Sequence, residues 1–266
     1  MKFLICLFLT LSCFGYDLHL TTIPGTNSRT MVCFHGYGAN YQIANRVKGT
    51  GIESTLVSFN FPEHDLINYN PHNASLGTFR ELIPAFTVLK KYVIDEGLDS
   101  IDLYGFSAGG GALINLIAAL NTPSRDAELM GIGIGADEKE KLLKAIQNGI
   151  IILDAPLKSV EEIMYCRGPS SEFKILAKHY RDNNSRPIDS VSALKGLSLN
   201  ILLYLEIDDE VLSNRDDAIY IERLKEANAL GTTEVIIEKD GGHKGQHSAL
   251  WKATSSVLKV WQPTKA

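Results

Sequence analysis

The chain predicts an α/β protein: a mostly parallel central sheet with helices on both faces. Three observations lead there. Several short runs are apolar throughout instead of alternating, which is how strands buried on both faces read. These runs alternate with segments of helical period, the order that winds a parallel sheet. The 266 residues, 45% hydrophobic and 21% charged, are enough for one full core of ordinary composition.

In chain order, residues 29–34 form an apolar strand that ends at His35-Gly36, and 54–59 form a second. Leu82, Ile83, Phe86, Leu89 and Val93 recur at helical spacing and predict a helix over about 76–95. Residues 101–104 are a short strand, followed by Gly105-Phe106-Ser107-Ala108-Gly109 and a small, apolar helix through 109–117. Residues 138–147 read as a helix stopped by Gly149, and 150–153 as a buried strand. The stretch 156–197 is longer than one crossover helix requires. Within it, 161–165 and 171–180 look helical and 181–187 looks like a polar loop. A near-continuous apolar strand follows at 200–205. Ser213 then caps a helix expected to run to about Leu230, with Gly231 as its stop. Residues 234–237 are the last strand, and a final helix runs to about Val260.

The N-terminus has a different character. One positive charge in Met1-Lys2, an apolar run over 3–14 and a small residue at Gly15 make the pattern of a secretory signal. The run is shorter than the ~20 residues of a spanning helix. The expectation is export, with residues 1–15 as signal peptide and 16–266 as a single domain, secreted or periplasmic. Thr10-Leu11-Ser12-Cys13 offers an alternative, a loose lipobox in which Cys13 would carry a lipid anchor; Thr10 stands where an aliphatic residue is expected. Removal of the signal leaves Cys33 and Cys166, and one pair makes no disulfide framework, so no bridge is assigned. A net charge of −5 with no basic run argues against a nucleic-acid partner.

Ligands of parallel sheets bind beyond the carboxyl ends of the strands, so the residues just after each strand carry the functional argument. They are His35-Gly36-Tyr37-Gly38, then Ser107, then Asp208 and Asp209, then Gly241-Gly242-His243. Ser107 sits in a G-x-S-x-G turn between a strand and a helix, the form of a nucleophile elbow. A nucleophile, an acid and a histidine thus fall at one edge in the order Ser, Asp, His.

With Phe59-Asn60-Phe61-Pro62-Glu63-His64 and Asp208-Asp209-Glu210-Val211 added, these segments resemble the α/β-hydrolases over nearly the whole mature chain. The resemblance implies a serine hydrolase in which His243 takes the proton of Ser107 and an aspartate holds the imidazole. It implies an oxyanion hole from the backbone N–H groups of Tyr37 and Ala108. The family's acid pattern falls on Asp209, with Asp208 one register off as the alternative; Leu205 and Glu206 stand where the family usually has glycine. Asp154 is a third candidate, because some lipases place their acid there, although Leu153-Asp154-Ala155-Pro156 reads more simply as a capped turn. His247 competes with His243 as base and is expected to start the final helix. His35 is expected to shape the oxyanion loop, and His64, His72 and His179 to be surface or pocket residues.

No cofactor or metal is expected. His243 and His247 have helical metal spacing but no third ligand, and Gly131-x-Gly133-x-Gly135 is no dinucleotide fingerprint. The 156–197 segment is where the family inserts a small helical cap. Its polarity points away from a lipid surface and towards a small-molecule or peptide-like acyl substrate. Acyl transfer on the same residues, and a non-catalytic binding protein of the same fold, remain the alternatives.

Overall fold

The computed structural model describes residues 19–62 and 75–260, with the short pieces Thr10–Leu11 and Tyr16–Asp17. Cys13 and most of the signal segment, and likewise His64 and His72, lie outside the described residues.

Seven strands make the main sheet: β1 (Thr21–Ile23), β2 (Thr30–Phe34), β3 (Thr55–Ser58), β4 (Asp102–Phe106), β5 (Ile151–Asp154), β6 (Asn200–Glu206) and β7 (Thr232–Glu238). Their order is β1-β3-β2-β4-β5-β6-β7. Every neighbouring pair is parallel except β1–β3. The central strands are buried along almost their whole length, which is why their sequences are apolar throughout. The edge strand β7 is half-exposed and accordingly carries Thr232, Thr233, Glu234 and Glu238.

Successive strand residues point to opposite faces and so divide the core in two. Val32, Phe34, Leu103, Ile151, Leu153 and Leu203 face α2 (Phe79–Leu89), α3 (Ala108–Asn121), α5 (Ala136–Gln147) and α9 (Asp217–Ala227). Met31, Cys33, Tyr104, Ile152, Leu202 and Tyr204 face α1 (Ile43–Gly49) and α10 (Ser248–Val260). At the amino-terminal ends of the strands, Arg29 Nε donates to buried Asp102 Oδ2 at 2.8 Å, and Asp102 Oδ1 accepts the N–H of Ile150.

Some elements depart from the sequence reading. The helix expected over 76–95 is α2 followed by a π-helical turn, Lys90–Asp95, with Pro84 inside α2. The helix expected to begin at 138 starts at Ala136, where Glu138 reaches back to accept the N–H of Gly135 at 3.0 Å. Ser213 caps a 3₁₀ turn, Asn214–Asp216, and α9 then stops at Ala227. The stop lies short of Leu230 because the Asn228 side chain binds the backbone of Leu199 and Thr232 instead. β1, α1 and α4 (Asp126–Gly131) were not anticipated.

The 156–197 segment folds as α6 (Val160–Arg167), α7 (Ser171–Asp182), α8 (Pro187–Ser190) and a 3₁₀ turn, Val191–Leu194. α6 and α7 pack on each other, and Val160, Ile163 and Leu176 join a cluster with Leu76, Ala108 and Leu212. Ile188, Val191 and Leu194 return to the main core. The first half of the segment therefore lies against the residue after Ser107, and the second half is ordinary core.

Candidate active site

The turn after β4 is strained at its centre. Ser107 has φ 53° and ψ −120°, a conformation that L-residues rarely adopt. The backbone around it over-determines the position: the Ser107 N–H donates to Asp154 O at 2.9 Å, and the Leu157 N–H donates to Ser107 O at 2.8 Å. The flanking glycines are required by close approach. A Cβ at 105 would lie 2.7 Å from Gly110 Cα, and one at 109 would lie 2.4 Å from the carbonyl oxygen of Phe34.

Three sequence-predicted residues meet here. Ser107 Oγ lies 2.9 Å from His243 Nε2, and His243 Nδ1 lies 2.7 Å from Asp209 Oδ2. All three side chains are buried or nearly so. The other oxygen of Asp209, Oδ1, accepts the N–H groups of Val211 and Leu212, each at 2.7 Å. Burial pushes the Asp209 carboxyl up. The His243 hydrogen bond and charge, with the two backbone donors, outweigh burial and hold it below its ordinary value.

The remaining carboxylates of this strand end support the histidine loop. Asp208 Oδ1 accepts the N–H of Gly242 at 3.2 Å and does not reach the imidazole. Glu210 Oε2 accepts the N–H of His243 at 2.9 Å, a bond that holds its carboxyl below the ordinary value. Glu206 Oε1 accepts the N–H of Asp240 at 2.7 Å. Glu210 and Glu206 were not read as site residues, although the acidic run at 208–210 was the available signal.

Asp154 is not a turn cap. It is fully buried at the end of β5, where Oδ1 lies 2.5 Å from His247 Nδ1 and Oδ2 accepts the Tyr104 hydroxyl at 2.6 Å. The residue just before the last helix reaches over the end of β5, and this non-local approach defeats the local turn reading. His247 precedes α10 with its ring buried, so His243 and His247 serve different carboxylates. His35 binds backbone with both ring nitrogens: Nδ1 donates to Gly36 O at 2.8 Å, and Nε2 accepts the N–H of Phe61 at 3.0 Å. His179 lies half-buried on α7.

Ala108 opens α3, so its N–H has no acceptor within the helix and lies at the positive end of the helix dipole. The loop after β2 runs alongside. A Cβ on Gly36 would stand 3.0 Å from the Phe106 ring and 3.3 Å from Ser107 Cβ, which brings Gly36-Tyr37 next to the serine. The Tyr37 hydroxyl donates to Glu172 of α7. Cys33 is buried and Cys166 exposed, and neither is bridged. Among the described residues no group of three or more His, Cys, Asp and Glu side chains is placed to hold a metal ion. No helix among them is long and apolar enough to cross a membrane.

No family model and no curated protein matches the chain. Solved structures do. A lipase/esterase from Lactobacillus plantarum superposes with a TM-score of 0.61 at 13% identity, over 93% of this chain and 94% of the other. Est1E from Butyrivibrio proteoclasticus, with ferulic acid bound, gives 0.61 at 13% identity over 94% and 97%. An esterase from Pyrococcus furiosus gives 0.56 at 14% identity over 92% and 87%. At these identities the likeness is one of architecture, and it spans both partners almost end to end. With its single antiparallel strand at the edge of an otherwise parallel sheet, the chain has the α/β-hydrolase fold.

Proposed function

We propose that the protein is a serine hydrolase that cleaves a carboxylic ester, thioester or amide through an acyl-enzyme on Ser107. The observation that carries this reading is the hydrogen-bonded chain Ser107–His243–Asp209 at the carboxyl ends of the strands. A serine hydroxyl is a weak nucleophile at neutral pH and needs an adjacent base. His243 Nε2 takes the Oγ proton as the Oγ–carbon bond forms, and the carbonyl electron pair moves to oxygen. The N–H groups of Ala108 and Tyr37 receive that oxyanion, each such donor lowering the barrier by about 3–4 kcal/mol. His243 then gives its proton to the leaving group, and water releases the acyl group by the same steps in reverse. Asp209 keeps the imidazole proton on Nδ1 and stabilises the cation.

The segment over the site is mixed in polarity, with Glu172 bound to Tyr37 beside Met164 and Phe173. This favours a small or peptide-like acyl substrate over a lipid surface. Residues 1–15 are read as an export signal, to be tested by cell fractionation and N-terminal sequencing of the mature chain.

The test of the reaction is fluorophosphonate labelling of the purified protein beside Ser107→Ala and His243→Ala. Labelling of the wild type and loss in both variants is expected. A folded wild type that takes no label would turn the reading to a binding protein. Label surviving Ser107→Ala would displace the nucleophile assignment. Product analysis with a competing alcohol separates hydrolysis from acyl transfer.

A further inference from the structure

Behind the Ser107–His243–Asp209 chain lies a second histidine–carboxylate pair that the proposed reaction does not use. His247 Nδ1 is 2.5 Å from Asp154 Oδ1, and His247 Nε2 is 3.2 Å from the carbonyl oxygen of Gly242. Both side chains are fully buried. A carboxylate and a carbonyl can only accept, and a neutral imidazole has one N–H to give. Filling both contacts requires two ring protons. A proton parked on Asp154 instead is opposed by the surroundings of Asp154: its Oδ2 accepts the Tyr104 hydroxyl at 2.6 Å and lies 3.9 Å from the Arg46 guanidinium. Both favour the charged carboxylate.

The carbonyl that His247 holds belongs to the peptide joining Gly242 to His243. The N–H of that same peptide is held by Glu210 at 2.9 Å. One peptide unit is thus gripped at both polar atoms, from opposite sides, directly before the residue that faces Ser107. The loop needs such a grip, because Gly241 and Gly242 have φ of 94° and 77° outside any helix or strand, and within the loop only the Gly245 N–H, at 2.9 Å, shares the Gly242 carbonyl with His247. Phe106 links the two histidines, its ring 5.1 Å from that of His243 and 6.3 Å from that of His247.

We propose that His247 is a positioning residue, kept as an imidazolium that clamps the Gly242–His243 peptide so that His243 meets Ser107. The proposal deepens the hydrolase reading and rests on it. The groups around His247 are Asp154 from β5, Tyr104 from β4, Tyr204 stacked at 4.7 Å and its partner Glu206 from β6, Arg46 from α1, and Asp240 and His243 from the loop. Burial and Arg46 oppose its charge. The Asp154 and Gly242 contacts outweigh them and hold its pKa above the ordinary value. The clamp therefore persists to higher pH than the charge of an ordinary histidine, and is lost as pH rises through that raised value. Loss of the clamp gives the rate an alkaline limb that reports His247.

Two measurements test this on the purified protein. The first is ¹⁵N NMR of the histidine rings in the wild type, which needs no variant to fold. Both His247 nitrogens are expected to be protonated at pH 7, and a ring that carries a single proton there overturns the proposal. The second is the pH profile of p-nitrophenyl acetate hydrolysis for wild type, His247→Gln and His247→Asn, the asparagine chosen because it tolerates the φ of 49° at this position. In a folded variant, kcat is expected to fall 10- to 100-fold with KM within about threefold and with the alkaline limb displaced. An unchanged kcat and pH profile overturns the positioning role. A wild type that takes no fluorophosphonate label would instead bring down the hydrolase reading, and this proposal with it.

Discussion

Asp209→Asn separates the two candidate acids through the number of oxygens the site needs. Oδ1 of Asp209 accepts two backbone N–H groups at 2.7 Å, while Oδ2 faces His243 Nδ1. Asparagine has one side-chain oxygen. Turned towards His243, it would leave its NH₂ pointing at two N–H donors, so the oxygen takes the Oδ1 position and the NH₂ faces the imidazole. His243 must then accept at Nδ1 and carry its proton on Nε2, towards Ser107 Oγ, where it cannot act as base. The same change of tautomer in a serine protease lowers kcat by about 10⁴, which is about 5.5 kcal/mol of barrier. We expect a loss of about 10³- to 10⁴-fold here, with little change in fold. Asp208→Asn is the contrast. Asp208 accepts one N–H, from Gly242, and an amide oxygen can replace that acceptor, so the loss should stay within about threefold. Initial rates with p-nitrophenyl acetate, with circular dichroism as the check on folding, decide the matter. Asp209→Asn within tenfold of wild type, or Asp208→Asn falling as far as Asp209→Asn, would refute the reasoning.

Three further outcomes concern stability. Burial pushes the Glu81 carboxyl up to about 8, with the Gly77 N–H opposing only in part. The native state therefore binds more protons than the unfolded chain from about pH 4.5 to 8, and the Glu81 contribution to stability is present below this window and lost as pH rises through it. Glu81→Gln should reduce the fall in unfolding free energy between pH 5 and 8.5 by on the order of 3 kcal/mol in denaturant melts; an equal fall in both proteins would contradict the assignment. Gly109→Ala places a Cβ 2.4 Å from backbone that cannot turn aside. It should destabilise by roughly 3 kcal/mol, lowering Tm by roughly 6–12 °C in a thermal melt. Lys158 Nζ lies buried between Glu162 at 2.9 Å and Asp217 at 2.8 Å. Lys158→Met should destabilise by about 3–5 kcal/mol at pH 8. The penalty should shrink at pH 5.5, since burial already pushes the Glu162 carboxyl up to about 7 and protonation removes its unpaired charge. A penalty independent of pH would argue against that ion pair.

The fold was legible where burial acts on both faces of a strand. In 151–154 and 200–206 nearly every position must be apolar, so the pattern survives without any tertiary information. It was illegible where an element is too short to show a period, as in β1, α1 and α4. It was misread at the end of α9, where the Asn228 side chain takes backbone groups 29 residues away. In the site, Ser107 and His243 could be found because glycines mark the turns that hold them. The choice between Asp208 and Asp209 was open because adjacent residues differ only in which way the turn after β6 aims them. The Asp154–His247 pair joins residues 93 apart in the chain, and neither local pattern implies the other.

The acidic run at 208–210 explains how a loop built on two glycines can present His243 with a fixed geometry. Three adjacent carboxylates would ordinarily repel, yet each has its own donor: the Gly242 N–H for Asp208, the His243 ring for Asp209 and the His243 N–H for Glu210. The negative charge of one strand end is thus divided among three successive hydrogen-bonding groups of the next. This also accounts for Gly242 beyond its positive φ, because a Cβ there would lie 2.4 Å from Glu210 Oε2. A residue with a side chain would push away the carboxylate that holds the His243 peptide. With His247 and the Gly245 N–H on the carbonyl of the same peptide, the orientation of His243 is set by contacts at both ends of that peptide and not by the glycine turn alone. That is the form of preorganisation a proton transfer between fixed atoms requires.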